Sequence, residues 1–166
     1  MIDLEQFEKN AKKDNLCSEY TKKWENCKSN KQFFDMGTSS KGLDYLCDSI
    51  AKGWGLSKEV LLERFKPFIN GLYVNQCDGY TSCLYVGYNM ELKIDTTLVG
   101  LIDCDIDIEI PEYQIAKVYC TGNNKIRVSG KGELIFICYG SKGNTRIEGT
   151  CGNMKRIDKK NRDTYE

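Results

Sequence analysis

The stretch LVGLIDCDIDIEIPEYQIAKVYCTGNNKIRVSGKGELIFICYG at residues 98–140 sets the expected architecture of the chain. Short apolar or alternating runs follow one another, and Gly, Asn, Asp, Ser and one Pro separate them. Alternation with a period of two, interrupted by such residues, is typical of strands and turns. The pattern continues on both sides, so we expect a β-rich half over residues 71–152. The candidate strands are CLYVGY, MELKI, LVGLI, CDIDIEI, IAKVYC, KIRVS, LIFICY and TRIEG.

Apolar residues in this half recur at a step of 18 positions. The step aligns two columns in particular: Leu84, Ile102, Cys120 and Cys138, and then Leu92, Ile110 and Val128. A unit of this length holds two strands and two turns, and parallel stacking of such units buries each rung on the next. The sequence therefore predicts a short β-solenoid with rungs of about 18 residues and with both columns facing inward. An antiparallel meander or sandwich gives nearly the same spacing and is the alternative.

The first seventy residues have helical rather than strand periodicity. Leu43, Leu46, Cys47 and Ile50 form one stripe at helical spacing, and Ser57 is placed to cap a further helix that Pro67 limits. Residues 153–166 are polar and predict a frayed tail. The expected fold class is α+β, with a helical segment at 1–70 packed on a β-rich repeat domain at 71–152 and a polar tail at 153–166.

Composition narrows the functions that fit this chain. It has nine cysteines and no histidine. Imidazole is the usual general base near neutral pH, the usual partner of a cysteine nucleophile and a frequent zinc ligand. We therefore expect a protein that is not an enzyme and that holds no metal and no cofactor. Lys and Arg together number 24, as do Asp and Glu, which favours a protein partner over nucleic acid.

The cysteines and the chain start predict a cytoplasmic protein. The cysteine count is odd and several thiols stand in apolar runs such as LIFIC, which is typical of reduced core residues. The two cysteines of CDGYTSC at 77–83 lack a second pair at zinc-site spacing. MIDLEQFEKN has no apolar segment of a signal peptide, and no apolar run is long enough to span a membrane.

The string DCDIDIEI at residues 103–110 is the first candidate binding site. Strand geometry would place its four carboxylates on one face: Asp103, Asp105, Asp107 and Glu109. Such a face could bind a cation or imitate the backbone of a nucleic acid. It could equally be a solvated face, because the 18-residue step sets Lys125 beside Asp107 and Arg127 beside Glu109.

The second candidate is a group of aromatic residues where helices give way to strands. Trp54 stands between two glycines, and Tyr73 and Tyr80 follow in FINGLYVNQCDGYTSC. Trp and Tyr are enriched among residues that anchor partner proteins. The same residues could instead seal the helices onto the β half, so both interpretations stay open.

A helical N-terminal part, a junction of Gly and aromatic residues and strands of the type NKIRVSGKGELIFICYG resemble small uncharacterised accessory proteins of gut-bacterial phages and mobile elements. The resemblance covers mainly residues 40–150. It implies an accessory protein that acts inside a bacterial cell, in a class that includes inhibitors of host defence systems.

Together these observations predict a non-enzymatic protein-binding protein. One alternative is an inhibitor that uses the acidic strand face against a host nucleic-acid-binding defence protein. The other is a divergent enzyme that works with carboxylates alone.

Overall fold

The structure, a computed structural model, describes residues 4–13, 18–53, 55–77 and 79–159. Its N-terminal part is helical, and a short 3-10 turn at Lys66–Phe68 follows the last helix. The helices are α1 (Leu4–Lys13), α2 (Ser18–Glu25), α3 (Asn30–Gly37), α4 (Ser40–Ala51) and α5 (Lys58–Arg64).

Serine side chains cap the N-termini of three of these helices. The hydroxyl of Ser57 accepts a hydrogen bond from the Val60 N–H at 3.2 Å, which confirms the predicted start of α5. Ser29 and Ser39 cap α3 and α4 in the same way. Each cap satisfies a backbone N–H that has no partner inside its own helix.

Strands make up most of the rest of the described chain, with a second 3-10 turn at Lys142–Asn144, and after the first strand consecutive strands alternate between two sheets. They are β1 (Asn75–Cys77), β2 (Tyr80–Val86), β3 (Glu91–Lys93), β4 (Leu98–Ile102), β5 (Asp105–Ile110), β6 (Ile115–Thr121), β7 (Asn124–Gly130), β8 (Glu133–Tyr139), β9 (Thr145–Gly149) and β10 (Asn153–Lys159). The long sheet has the order β1-β2-β4-β6-β8-β10, and the short sheet has the order β3-β5-β7-β9.

All neighbouring strands are parallel except β1 and β2, which are antiparallel. The chain thus winds through about four turns of a β-solenoid with about 19 residues per rung. The predicted α+β class and the solenoid are confirmed, and the meander alternative is wrong.

Rung length varies, and this changes which residues face inward. Leu84 pairs with Gly100 after 16 residues, Leu98 with Lys117 after 19, Ala116 with Leu134 after 18 and Leu134 with Met154 after 20. Because side chains alternate between the two faces of a strand, the odd step exchanges the faces.

Two apolar cores lie on either side of the long sheet. One fills the space between the sheets and includes Ile106, Ile126 and Phe136, and the other joins the long sheet to the helices through Leu43 and Phe65. The predicted inward column is therefore correct for Cys120 and Cys138 and wrong for Leu84 and Ile102, which face the helices.

The second predicted column does line the interior, in a different register. Ile110 and Val128 are buried between the sheets, and Leu92 packs on them half-buried. The strand partner of both Leu92 and Val128 is Ile108 rather than Ile110.

The residues that follow β2, β4, β6 and β8 adopt a left-handed backbone. These residues are Gly87, Asp103, Gly122 and Gly140, with φ from 52° to 87°. Here the chain turns sharply from the long sheet into the short sheet, and glycine enters this conformation without steric cost. Asp103 is the exception among the four.

Residues 153–159 form a strand, which corrects the predicted polar tail for this part of the chain. The Asn153 N–H donates to the Gly132 carbonyl oxygen at 3.2 Å, and β10 pairs with β8 in parallel along its length. An edge strand needs few apolar residues, because backbone hydrogen bonds hold it and much of its surface stays solvated. Residues 160–166 of the predicted tail lie outside the described residues.

Candidate protein-binding surface

Tyr73 lies where α3 meets the loop before β1. Its hydroxyl donates to Asp35 Oδ1 at 2.5 Å, and its ring packs edge-on against Phe68 at 5.6 Å between centroids. The ammonium of Lys31 stands 5.2 Å from the centre of the same ring. These contacts join α3 to the 3-10 turn and to the loop that precedes β1.

Tyr80 belongs to a group of tyrosines that fasten α4 to the long sheet. Its hydroxyl accepts from the Ser40 N–H at 3.4 Å, and the hydroxyl of Tyr119 lies 3.4 Å from Ser40 Oγ. Further along α4, the Tyr139 hydroxyl donates to Asp44. Burial of an aromatic ring with a satisfied hydroxyl is a strong packing contact. Trp54 lies outside the described residues, so its role as an anchor stays a prediction.

Asp103 does not share a strand face with the other three carboxylates, which corrects the sequence prediction. It occupies the corner before β5 with φ of 52°, and its Oδ1 accepts from the Asn123 N–H of the next rung at 2.8 Å. An aspartate is one of the few residues that enter the left-handed region readily, because its short side chain can bond nearby backbone. Asp103 therefore stabilises a turn.

Asp105, Asp107 and Glu109 do share the outer face of the short sheet, and basic residues lie beside them. Asp105 pairs in register with Lys125, and Asp107 pairs with Arg127. The guanidinium of Arg127 bonds Asp105 at 2.8 Å and also Asp107. The predicted cross-strand charge ladder is present, shifted by two residues from the predicted register.

The outer face of the short sheet thus carries both signs of charge. A shallow depression of about 420 Å³ on this face borders Glu91, Lys93, Asp107 and Glu109. These side chains are exposed to solvent, whereas carboxylates that act as acids or bases owe their shifted pKa values largely to burial or close like charges. Among the described residues, no group of three potential metal ligands is brought together.

The seven cysteines whose side chains the structure describes are free thiols. Two of them, Cys27 and Cys151, are half-buried, and the other five are buried: Cys47, Cys83, Cys104, Cys120 and Cys138. Burial raises the pKa of the Cys83 and Cys104 thiols from 9.0 to about 11. The thiolate is the reactive form of cysteine, so these two thiols are poor nucleophiles near neutral pH. Their role is to pack the space between the sheets.

The sequence prediction missed an apolar stripe on the outer face of the long sheet. We call Ile115, Ile135 and Ile157 the isoleucine stripe, because they lie diagonally across β6, β8 and β10. Ile115 is 55% exposed, and the other two are half-buried. Ile135 lies directly between Lys117 and Lys155, and both lysines are exposed.

A strained and exposed aromatic residue stands beside this stripe. Tyr113 is 93% exposed and has φ of 68°, two residues before Ile115. A bulky residue in the left-handed region costs about 1–3 kcal/mol, and such strain is concentrated at functional sites. A signal for this surface was available in the sequence. The strands β2, β4, β6 and β8 carry apolar residues on both faces, so any part of these strands that the helices leave uncovered exposes apolar side chains.

No protein-family model, curated protein or solved structure matches the chain. Within the part of the chain that the structure describes, none of the helices has the length and apolar character needed to cross a membrane.

Proposed function

We propose that this chain is a non-enzymatic protein-binding accessory protein of a phage or mobile element that acts in the bacterial cytoplasm. The observation that carries the proposal is the isoleucine stripe: Ile115 is 55% exposed, Ile157 is half-buried, and Ile135 lies half-buried at the margin of the core that joins the long sheet to the helices. Exposed apolar residues that form one patch with polar residues around them are typical of protein interfaces.

The geometry of the stripe defines the partner surface that fits it. Successive isoleucines are diagonal neighbours on adjacent parallel strands, close enough for one apolar side chain to touch two of them. Lys117 and Lys155 flank the middle isoleucine from either side. A partner with an apolar centre and acidic residues at its rim would complement this arrangement.

The same observations bear on the rival functions. A nucleic-acid mimic needs an uncompensated run of negative charge, whereas Arg127 binds two of the three carboxylates on β5. The outer face of the short sheet also carries Lys93 and Lys125 in register with acidic residues. A carboxylate enzyme would need acids withdrawn from water, and those on this face are exposed.

Polar substitution of the stripe tests the proposal. We expect Ile115→Ser and Ile135→Ser together to weaken partner binding by roughly 30-fold or more, the scale of an interface hot spot. The partner would be captured from a gut-bacterial lysate, identified by mass spectrometry, purified and titrated by calorimetry.

Leu72→Ser is the matched control, because Leu72 is 69% exposed and lies outside the stripe in the loop before β1. The control should bind as the unmodified protein does. Equal binding by the stripe variant and the control, with both melting normally, would rule out the stripe as the contact surface.

A further inference from the structure

The outer edge of β10 carries backbone groups that point away from the sheet. The Asn153 N–H bonds Gly132 on β8, and backbone groups of successive strand residues point to opposite sides. The N–H and C=O groups of Met154, Arg156 and Asp158 therefore point outward. Among the described strands, none pairs with this edge. Such a row is a ready template for another strand.

Side chains give this edge a positive character. Lys155, Arg156 and Lys159 stand along β10 with a single carboxylate, Asp158. The Arg156 guanidinium bonds Asp158 at 3.0 Å and the Thr145 carbonyl oxygen at 2.8 Å, which holds it over the end of the solenoid. The carboxylate of Asp158 is thus already paired. Lys155 is exposed and Lys159 is half-buried, and both lie on the outer face of the long sheet.

We propose that the edge of β10 accepts an extended acidic segment of the partner protein, which adds one strand to the long sheet. This inference rests on the proposed function, because Ile157 belongs both to the isoleucine stripe and to β10. An added strand would place one outward side chain beside each of Lys155, Ile157 and Lys159. The complementary pattern is an acidic, an apolar and an acidic residue at alternate positions.

Ion pairs of the proposed kind already join neighbouring rungs of this solenoid. Arg127 on β7 bonds Asp105 and Asp107 on the neighbouring strand β5. Acidic and basic side chains thus meet across adjacent parallel strands of this solenoid. A partner strand with carboxylates would repeat that arrangement at β10, and main-chain hydrogen bonds would supply affinity.

A second copy of the chain fits this edge poorly. A two-fold antiparallel pairing sets the central residue of the register opposite itself, and it pairs residues on either side symmetrically. Centring on residue 155, 156, 158 or 159 would oppose two identical charges, and centring on Asn153 or Met154 would pair at most three residues of β10. Centring on Ile157 would oppose Lys155 and Lys159 twice, and the Arg156 that would face Asp158 already bonds Asp158 of its own strand. Like charges directly opposite each other destabilise a strand pair. Charge complementarity therefore favours an acidic partner.

Amide hydrogen exchange tests the proposal directly. The probe is the peptide TETVTET, which carries Glu, Val and Glu at alternate positions, and the control peptide is TKTVTKT. We expect TETVTET to slow exchange of the Met154, Arg156 and Asp158 amides by roughly tenfold or more, while the alternate amides bonded to β8 change little. TKTVTKT should leave all of them unchanged.

Proline at Met154 gives a second measurement. Its N–H points outward, so Met154→Pro removes an edge donor without removing a hydrogen bond to β8, and proline is tolerated on such edges. Met154→Ala is the matched control, because it shortens the same partly exposed side chain and keeps the backbone N–H. We expect Met154→Pro to weaken TETVTET binding by roughly tenfold relative to Met154→Ala.

The outcomes separate this inference from the proposed function. Absence of protection by TETVTET, or equal peptide affinity of both Met154 variants, overturns the strand proposal. If the stripe variant then loses the captured partner while Met154→Pro retains it, the proposed function stands without the added strand. A dimer in sedimentation that Met154→Pro converts to a monomer would assign the edge to a second copy and overturn the acidic partner.

Discussion

The two sheets of this solenoid arise from the same rungs, yet their strands have different sequences. The long-sheet strand LVGLI is buried at every position, whereas the short-sheet strand DIDIEI alternates between exposed and buried residues. The difference arises because helices cover the outer face of the long sheet and water covers that of the short sheet. A strand's pattern therefore reports how many of its faces are covered.

The outer faces of the two sheets also differ in what they can bind. On the short sheet, acidic and basic side chains of adjacent strands neutralise one another. On the long sheet, Ile115 and Lys117 interrupt the covered surface and remain exposed. We infer that a partner protein binds where the helices no longer cover the long sheet.

Two isoleucine substitutions provide the strongest test of this comparison. Ile126 on β7 is fully buried between the sheets, and Ile115 on the long sheet is 55% exposed. Ile126→Ala should reduce the free energy of unfolding by roughly 2–5 kcal/mol, because it removes buried methyl groups and leaves a cavity. Ile115→Ala should cost less than about 1 kcal/mol. Urea denaturation measures both.

Equal costs for the two substitutions would contradict the assignment of faces. A large cost at Ile115 would mean that part of the chain covers the stripe in solution, and the proposed binding surface would then be closed. A small cost at Ile126 would place that residue outside the interior.

The solenoid could be predicted from sequence because an apolar repeat survives small changes in rung length. The inward column could not, because the step between β4 and β6 is 19 residues rather than 18. One extra residue in a corner exchanges the two faces of every later strand. The spacing between the left-handed residues at 87, 103, 122 and 140 equals the rung length between successive long-sheet strands. In the sequence, Gly122 and Gly140 could be recognised only as turn residues.

The proposed binding surface was harder to predict than the fold, because tertiary packing decides which strand positions the helices cover. Ile115, which is exposed, and Ile135, which is half-buried, occupy the same kind of strand position as Tyr119 and Ile137, which are buried. Strand periodicity assigns all four to one face and cannot show where a helix ends above them. The residue types of Tyr73 and Tyr80 indicated possible partner anchors, and in the structure both contact helices.

Titration of buried thiols tests whether both sheets enclose a single interior that excludes water. Cys83 lies on the long sheet and Cys104 begins the passage into β5, and burial raises both pKa values to about 11. The folded state thus holds these protons more tightly than the unfolded state. Their contribution to stability is complete below about pH 9 and is lost as the pH rises through about 11.

We expect each thiol to account for about 2 kcal/mol of the stability lost between pH 8 and pH 10.5. Denaturation of a Cys83→Ala, Cys104→Ala variant at both pH values should show a correspondingly smaller loss than in the unmodified protein. Cys151→Ala is the control, because Cys151 is half-buried near the end of the solenoid. An equal loss in the double variant and in the control would show that neither thiol is excluded from water.

The smallest expected effect concerns the charge ladder of the short sheet. Arg127 bonds Asp105 and Asp107 in an exposed position, where ion pairs contribute roughly 0.2–1 kcal/mol. Arg127→Gln should therefore reduce stability by no more than about 1 kcal/mol, and the difference should vanish in about 1 M salt, where screening acts over roughly 3 Å. Lys125→Gln on the same strand is the matched control.

The same variant separates the two candidate binding faces. Replacement of Arg127 removes the positive charge that bonds Asp105 and Asp107 and makes this face more negative, so an acidic mimic of nucleic acid would bind its target more tightly after the change. A partner held by the isoleucine stripe and the edge of β10 would not respond, because Arg127 lies on the other sheet. Titration of the purified partner against Arg127→Gln decides between them. Tighter binding would transfer the function to the short sheet, and unchanged binding would leave the long sheet as the surface that the partner meets.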